Sequence, residues 1–160
     1  MRVALYQPDI PQNTGTILRM AACLGVPVDI IGPAGFDLRD KTLRRAGLDY
    51  LEHVSLTRYE SFEHFEKVVL SDGRRPRLVL LSAHASEPYA DFRFAFGDVL
   101  MLGRESAGVP ESVHARADGR VRIPMRPGLR SLNIAVAGAM VLGEALRQTG
   151  GFVSPCQESE

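Results

Sequence analysis

The sequence predicts an α/β protein: a mostly parallel sheet with helices on both faces. Two observations carry this expectation. Near-continuous apolar runs recur at Val3 to Tyr6, Val26 to Ile31, Leu78 to Leu81 and Val99 to Leu102, as strands covered on both faces require. Segments with helical periodicity and helix start and stop signals lie between them, so strand and helix alternate.

Val3 to Tyr6 is the first predicted strand. Asn13 or Thr14 can cap a helix running to about Leu24, with Gly25 as its stop signal. On that helix Ile17, Met20, Ala21 and Leu24 fall at helical spacing and give one apolar face. Val26 to Ile31 is the next strand, closed by Gly32-Pro33. Asp40 to Ala46 reads as a short basic helix ended by Gly47, and Glu52 to Leu56 as a strand. Ser61 to Leu70 is amphipathic, with Phe62, Phe65 and Val69 inward and Glu60, Glu63, Glu66 and Lys67 outward. After the apolar strands at Leu78 to Leu81 and Val99 to Leu102 comes a short run, Val121 to Met125. A last helix is expected from about Leu132 to Gln148, ended by Gly150-Gly151. With no repeat or linker in view, residues 1–152 are expected to form one domain and residues 153–160 a frayed tail.

Length and composition narrow the class further. The 160 residues are 45% hydrophobic and 24% charged, ordinary for a globular domain with its own core. No run approaches the roughly 18 apolar residues that span a bilayer. Met1 to Tyr6 turns directly into a polar loop, without a signal peptide's long apolar stretch. The expected location is the cytoplasm, with no membrane partner. Cys23 and Cys156 make no disulfide framework, and the four histidines, His53, His64, His84 and His114, are scattered. No metal site is expected. Net charge is zero, yet the cations are almost all arginine, gathered at Arg39, Arg44 and Arg45, at Arg74, Arg75 and Arg77, and from Arg116 to Arg130. A neutral total can therefore hide a basic face.

The chemistry concentrates in loops that follow apolar elements. Gly103 and Gly108 have the glycine spacing of a phosphate-binding P-loop, but Val109-Pro110 stand where that loop needs Lys and Ser/Thr. No G-x-G-x-x-G follows the first strand, which disfavours a dinucleotide fold. What remains is exposed main chain after Val99 to Leu102, after Val121 to Met125, and at Ser131-Leu132-Asn133. That pattern points to a ligand site built mainly from backbone groups. In the first loop, Asn13, Thr16 and Arg19 are spaced i, i+3, i+6. On a helix they share a side near its anion-favouring start, where an arginine fork makes a phosphate clamp.

Four motifs in this order resemble those of the SPOUT RNA methyltransferases: Asn13-Thr14-Gly15-x-x-x-Arg19, Gly103-Arg104-Glu105-Ser106-x-Gly108-Val109-Pro110, Ile123-Pro124-Met125 and Ser131-Leu132-Asn133. The run from Lys41 to Tyr50 and the chain's compactness are similar to the small branch that methylates the 2′-hydroxyl of the tRNA wobble nucleotide. The resemblance implies a C-terminal deep trefoil knot, a homodimer, and S-adenosylmethionine as cofactor. By motif position it implies that Leu81, Gly103, Ile123, Ser131 and Leu132 contact the cofactor, with Ser131 also capping the last helix. It places Arg19, Asn13, Glu105 and Asn133 near the reaction, and makes Arg44, Arg45, Arg126 and Arg130 candidates for contacts to the tRNA anticodon stem-loop. Glu105 has a second expectation, as an interface residue holding a partner's arginine. Two departures stand out: Arg104-Glu105-Ser106 is a variant of the second motif, and Gly143 stands before Glu144 where some relatives carry Tyr. Beside a small-molecule-binding α/β domain with no RNA partner, which the arginine clusters and the first loop count against, two other readings stay open here. One moves the target to another tRNA or ribosomal RNA site; the other is a non-catalytic knotted RNA-binding protein.

Overall fold

The computed structural model describes residues 1–37, 50, 52–71, 73 and 76–153. The expected helix over 40–46, with Arg44 and Arg45, and the tail over 154–160 lie outside the described residues. Seven strands form one sheet: β1 Arg2–Tyr6, β2 Val28–Ile31, β3 Leu56–Tyr59, β4 Leu78–Leu81, β5 Glu87–Pro88, β6 Val99–Leu102 and β7 Gly119–Arg122. Their order is β3-β2-β1-β6-β4-β7-β5, and every pairing is parallel.

Side-chain alternation in the strands builds two cores. Val3, Leu5, Val79, Leu100 and Leu102 point to one face, where they meet Ile17, Leu18 and Ala21 of helix α1 (Pro11–Leu24) and Val141, Leu142 and Ala145 of the last helix, α4 (Ile134–Thr149). Ala4, Tyr6, Leu78, Leu80, Val99 and Met101 point to the other. There they meet Phe65, Val69 and Leu70 from α2 (Phe62–Phe65) and the π-helical turn that continues it, Glu66–Leu70. Val113 of α3 (Glu111–Arg116) completes that face. Helices thus cover both faces, as apolar strands with no solvent side require. Gly138 lets α4 lie close on the sheet: a Cβ there would stand 2.8 Å from Leu102 Cδ1.

Strands β1 and β2 begin at Arg2 and Val28 rather than Val3 and Val26, and three further boundaries differ from expectation. Helix α1 starts at Pro11, after Ile10, with no side-chain cap. Proline at a first helical position has its φ already set and no N–H to satisfy, so Asn13 and Thr14 are not needed as caps. The third strand is Leu56–Tyr59 rather than Glu52 to Leu56. It is an edge strand with Thr57 and Arg58 exposed, so apolarity marked the wrong window; pairing with β2 (Val28 with Leu56, Ile31 with Tyr59) sets the true one. The last helix begins at Ile134 and is capped by Asn133, not by Ser131. The two helix stops, Gly25 and Gly150, do sit in the left-handed conformation at φ 65° and 62°.

The sheet order reverses direction at β1. The chain builds outward through β2 and β3, then crosses to place β4, β6 and β7 on β1's other side. Open parallel sheets bind ligands at the carboxyl ends of strands beside such a switch point. Leu5, Leu102 and Leu81 are in register across β1, β6 and β4, so the loops leaving these strands start level with one another.

Candidate functional site

A cavity of about 810 Å³ opens at this carboxyl edge, within the roughly 300–1,000 Å³ usual for small-molecule sites. Its floor is Leu80 and Leu81 at the end of β4 and Gly103 after β6; Ile123 and Met125 follow β7, and Ser131, Leu132 and Asn133 precede α4. Asn13 and Glu105 close one side. The structure therefore brings Leu81, Gly103, Ile123, Ser131 and Leu132 around one space, together with Asn13, Glu105 and Asn133.

The turn after β6 is the most constrained wall. Gly108, at φ +68°, reverses the chain, and Arg104 and Gly108 exchange backbone hydrogen bonds of 2.9 and 2.7 Å. A Cβ on Gly103 would stand 3.0 Å from the Gly108 carbonyl carbon and 3.1 Å from its Cα. Only a residue without a side chain lets this turn fold back so tightly while its backbone faces the cavity.

A chain of polar contacts runs from the start of α4 through the loop before α1 to this same turn. Asn133 Oδ1 accepts from the backbone N–H groups of Ala135 and Val136 at 2.8 and 3.3 Å, capping α4. Its Nδ2 donates to Asn13 Oδ1 at 2.9 Å. Asn13 Nδ2 donates in turn to Glu105 Oε1 at 3.4 Å, and Glu105 Oε2 accepts from the Asp9 backbone N–H at 3.1 Å. Asp9 Oδ2 accepts from Arg104 Nε at 3.0 Å and from the Ser106 hydroxyl. Burial, together with the neighbouring Asp9 carboxyl, pushes the Glu105 carboxyl up. Burial also pushes Asp9 up, but its hydrogen bonds with Glu105, Ser106 and Arg104 outweigh that and hold it well below the usual carboxylate range.

The contact between Asn133 and Asn13 yields a separable prediction. Asn133→Ala is expected to cost about 1 kcal/mol of stability through the lost cap. Asn133→Asp keeps the cap acceptor but removes the donor to Asn13, so its thermal unfolding is expected to stay near wild type while the polar edge of the cavity is broken. Equal loss of stability in both variants, read by thermal denaturation, would contradict this division of roles.

The remaining expected residues lie elsewhere. Arg19 is exposed on α1, beyond the cavity lining, with its guanidinium carbon 4.8 Å from the centre of the Tyr50 ring. Arg126 and Arg130 are exposed on the loop between β7 and α4. Arg104, Arg116 and Arg120 instead bond within the protein, to Asp9, to Glu66 and Asp118, and to the His114 carbonyl. Sequence reasoning missed Asp9, and also Ile10, His84 and His114, which line the cavity. The one available signal for Asp9 was its place between Pro8 and Pro11, in a loop stiff enough to hold a side chain still. Among the described residues no helix is long and apolar enough to cross a membrane, and no group of three or more His, Cys, Asp or Glu is arranged around a metal.

A parallel α/β sheet, with a ligand cavity walled by turns rather than by a glycine-rich first loop and edged by a polar relay, defines a small-molecule-binding α/β protein outside the dinucleotide folds. The chain belongs to the SpoU rRNA methylase family, whose profile matches residues 1–143. It is 64% identical over 150 residues to the tRNA (cytidine(34)-2′-O)-methyltransferase of Beijerinckia indica subsp. indica, covering 94% of this chain and 92% of that protein. Among solved structures, one described as giving insight into 2-OH methylation of C/U34 on tRNA superposes with a TM-score of 0.86 at 44% identity, over 92% of this chain and 94% of that one. The SpoU methyltransferase AviRb of Streptomyces viridochromogenes, in complex with AdoMet, matches with a TM-score of 0.85 at 30% identity, over 92% of this chain and 60% of that one.

Proposed function

We propose that this chain transfers a methyl group from S-adenosylmethionine to the ribose 2′-hydroxyl of nucleotide 34, the wobble position of the tRNA anticodon loop, with cytidine or a modified uridine as the target base. The observation that carries this reading is the cavity, in which backbone turns after β4, β6 and β7 meet a polar edge of Asn13, Glu105 and Asn133. High identity over nearly the full length to an enzyme named for cytidine 34 supports the choice of target.

The residues present fit the cofactor. A close main-chain cradle at Gly103, a wall of Leu81, Ile123 and Leu132, and the exposed hydroxyl of Ser131 suit an adenosyl group with a polar tail. S-adenosylmethionine supplies a methyl group on a sulfonium, already activated for in-line displacement. The chain's own task is to align the 2′-oxygen and ease the loss of its proton. Guanidinium, with a pKa above about 12, is no base. Arg19 grips the RNA phosphate beside the target and stabilises the developing alkoxide, and the proton leaves to phosphate or water. Arg126 and Arg130 extend the RNA surface.

Residues 1–152 act as one domain, with the C-terminal part threaded as a trefoil knot. Two copies pair, and the exposed apolar residues Val136 and Met140, one turn apart on α4, suit such a contact. The substrate makes the cytoplasm the site of action. The test is incubation with labelled S-adenosylmethionine and tRNA from a strain lacking the activity, followed by mass mapping. The expected product carries one new 2′-O-methyl group, at nucleotide 34. A methyl group elsewhere would overturn the target; no transfer and no cofactor binding would overturn the reading.

A further inference from the structure

We propose that Asp9 is a positioning residue for methyl transfer, acting through Glu105: it ties the turn after β6 to the loop before α1, so that Glu105, Asn13 and Asn133 form one continuous polar edge at the cavity. The proposal rests on the methyltransferase reading above.

Asp9 is placed for this by contacts from three directions. Its side chain is 15% exposed and pairs with Arg104, which is 41% exposed. Its Oδ2 holds both Arg104 and Ser106, the first and third residues of the turn. Its backbone N–H donates to Glu105, the residue between them. From the third side, a Cβ on Gly35 would stand 2.9 Å from both Cα and Cβ of Asp9, and the Gly35 N–H donates to the Pro8 carbonyl at 2.8 Å. The Asp9 backbone therefore has little room to shift. Three successive residues of one turn are thus gripped by a single residue of another loop. That fixes the relative position of two walls that no strand pairing connects directly beyond the ends of β1 and β6.

The arrangement leaves one oxygen idle. Asp9 Oδ1 is buried with no hydrogen-bond partner, and it belongs to the carboxyl group that neighbours Glu105. A buried acceptor in this state is costly, and a neutral Glu105 carboxyl is the neighbouring group with a proton to offer the Asp9 carboxylate. Asp9 thereby favours the protonated form of Glu105, whereas Asn13 Nδ2 and the Asp9 N–H favour the ionised form that accepts from them. The groups touching Glu105 are Asp9 and Asn13, with Arg104 bonded to Asp9 behind them, and Glu111 and His114 of α3 and His84 after β4 line the same cavity. Asp9 acts on Glu105 directly, and Arg104 reaches Glu105 only through Asp9, whose charge it compensates. Removing the Asp9 carboxyl relieves Glu105 and lets it ionise at lower pH. Removing the Arg104 charge leaves Asp9 uncompensated and makes Glu105 harder to ionise.

The test measures kcat and KM for tRNA across pH for the wild-type chain, Asp9→Asn and Arg104→Gln, with tRNA and S-adenosylmethionine as substrates. Asp9→Asn is expected to lower kcat at least tenfold with KM for tRNA within about twofold, and to move the acid limb of the profile to lower pH. Arg104→Gln is expected to move that limb to higher pH, and Asp9→Glu to recover part of kcat. Opposite displacement of the limb is a signature that a merely structural role would not produce. Should Asp9→Asn fail to fold, Arg104→Gln and Asp9→Glu carry the test alone. An acid limb that stays in place in the folded variants, or kcat within twofold of wild type, overturns the proposal. Absence of turnover by the wild-type chain overturns instead the reading on which it rests, and that control separates the two failures.

Discussion

Arg19→Ala is expected to lower kcat for tRNA methylation by roughly 100-fold or more, the scale seen when one donor to a developing oxyanion is removed. Stability is expected to change little. Arg19 is exposed on α1, and its contact with Tyr50 is a surface cation–π pair worth about 0.5–1 kcal/mol. A large loss of rate without a matching fall in melting temperature separates a functional side chain from a structural one. Arg19→Lys sharpens the point: it keeps the charge and loses the planar fork that grips phosphate through two N–H groups. Turnover at least tenfold below wild type is expected. Wild-type turnover by Arg19→Lys on tRNA would remove the fork from the mechanism and leave only a point charge.

Gly103→Val is expected to weaken S-adenosylmethionine binding at least 100-fold and to destabilise the fold by about 1–3 kcal/mol, the usual cost of overpacking a close contact. Even a methyl group at Gly103 would stand 3.0 Å from the Gly108 carbonyl carbon. Gly108 cannot give way, since its N–H and carbonyl are both bonded to Arg104. The turn must open, and the wall it forms moves with it. Calorimetric titration with S-adenosylmethionine and thermal unfolding read the two effects. Affinity within twofold of wild type would show that Gly103 does not set the cavity wall.

The architecture was largely legible in the sequence because its strands are covered on both sides. Val99 to Leu102 and Leu78 to Leu81 carry apolar residues at every position, and each alternate residue serves a different core. The edge strand was not legible. Leu56–Tyr59 puts Thr57 and Arg58 in solvent, so its identity comes from hydrogen bonds to β2 rather than from hydrophobicity. The helix starts were misread for a related reason. Asn13, Ser131 and Asn133 are all competent caps by type, and which one serves depends on the chain before it: Pro11 makes a cap unnecessary on α1, while Asn133 stands directly before Ile134.

The amino-acid sequence by itself determined the class of sheet, the two helical layers and the order of the four motifs, since these follow from local periodicity and from where glycine, proline and capping residues fall. Tertiary structure alone decided that Asn13, Glu105 and Asn133 share one polar edge, with Asp9 behind it, because the contacts joining them span 92 and 120 positions of chain. Such contacts depend on the crossing that sets β6 beside β1 and brings α4 back against α1. No local pattern records a meeting that only the path of the whole chain brings about.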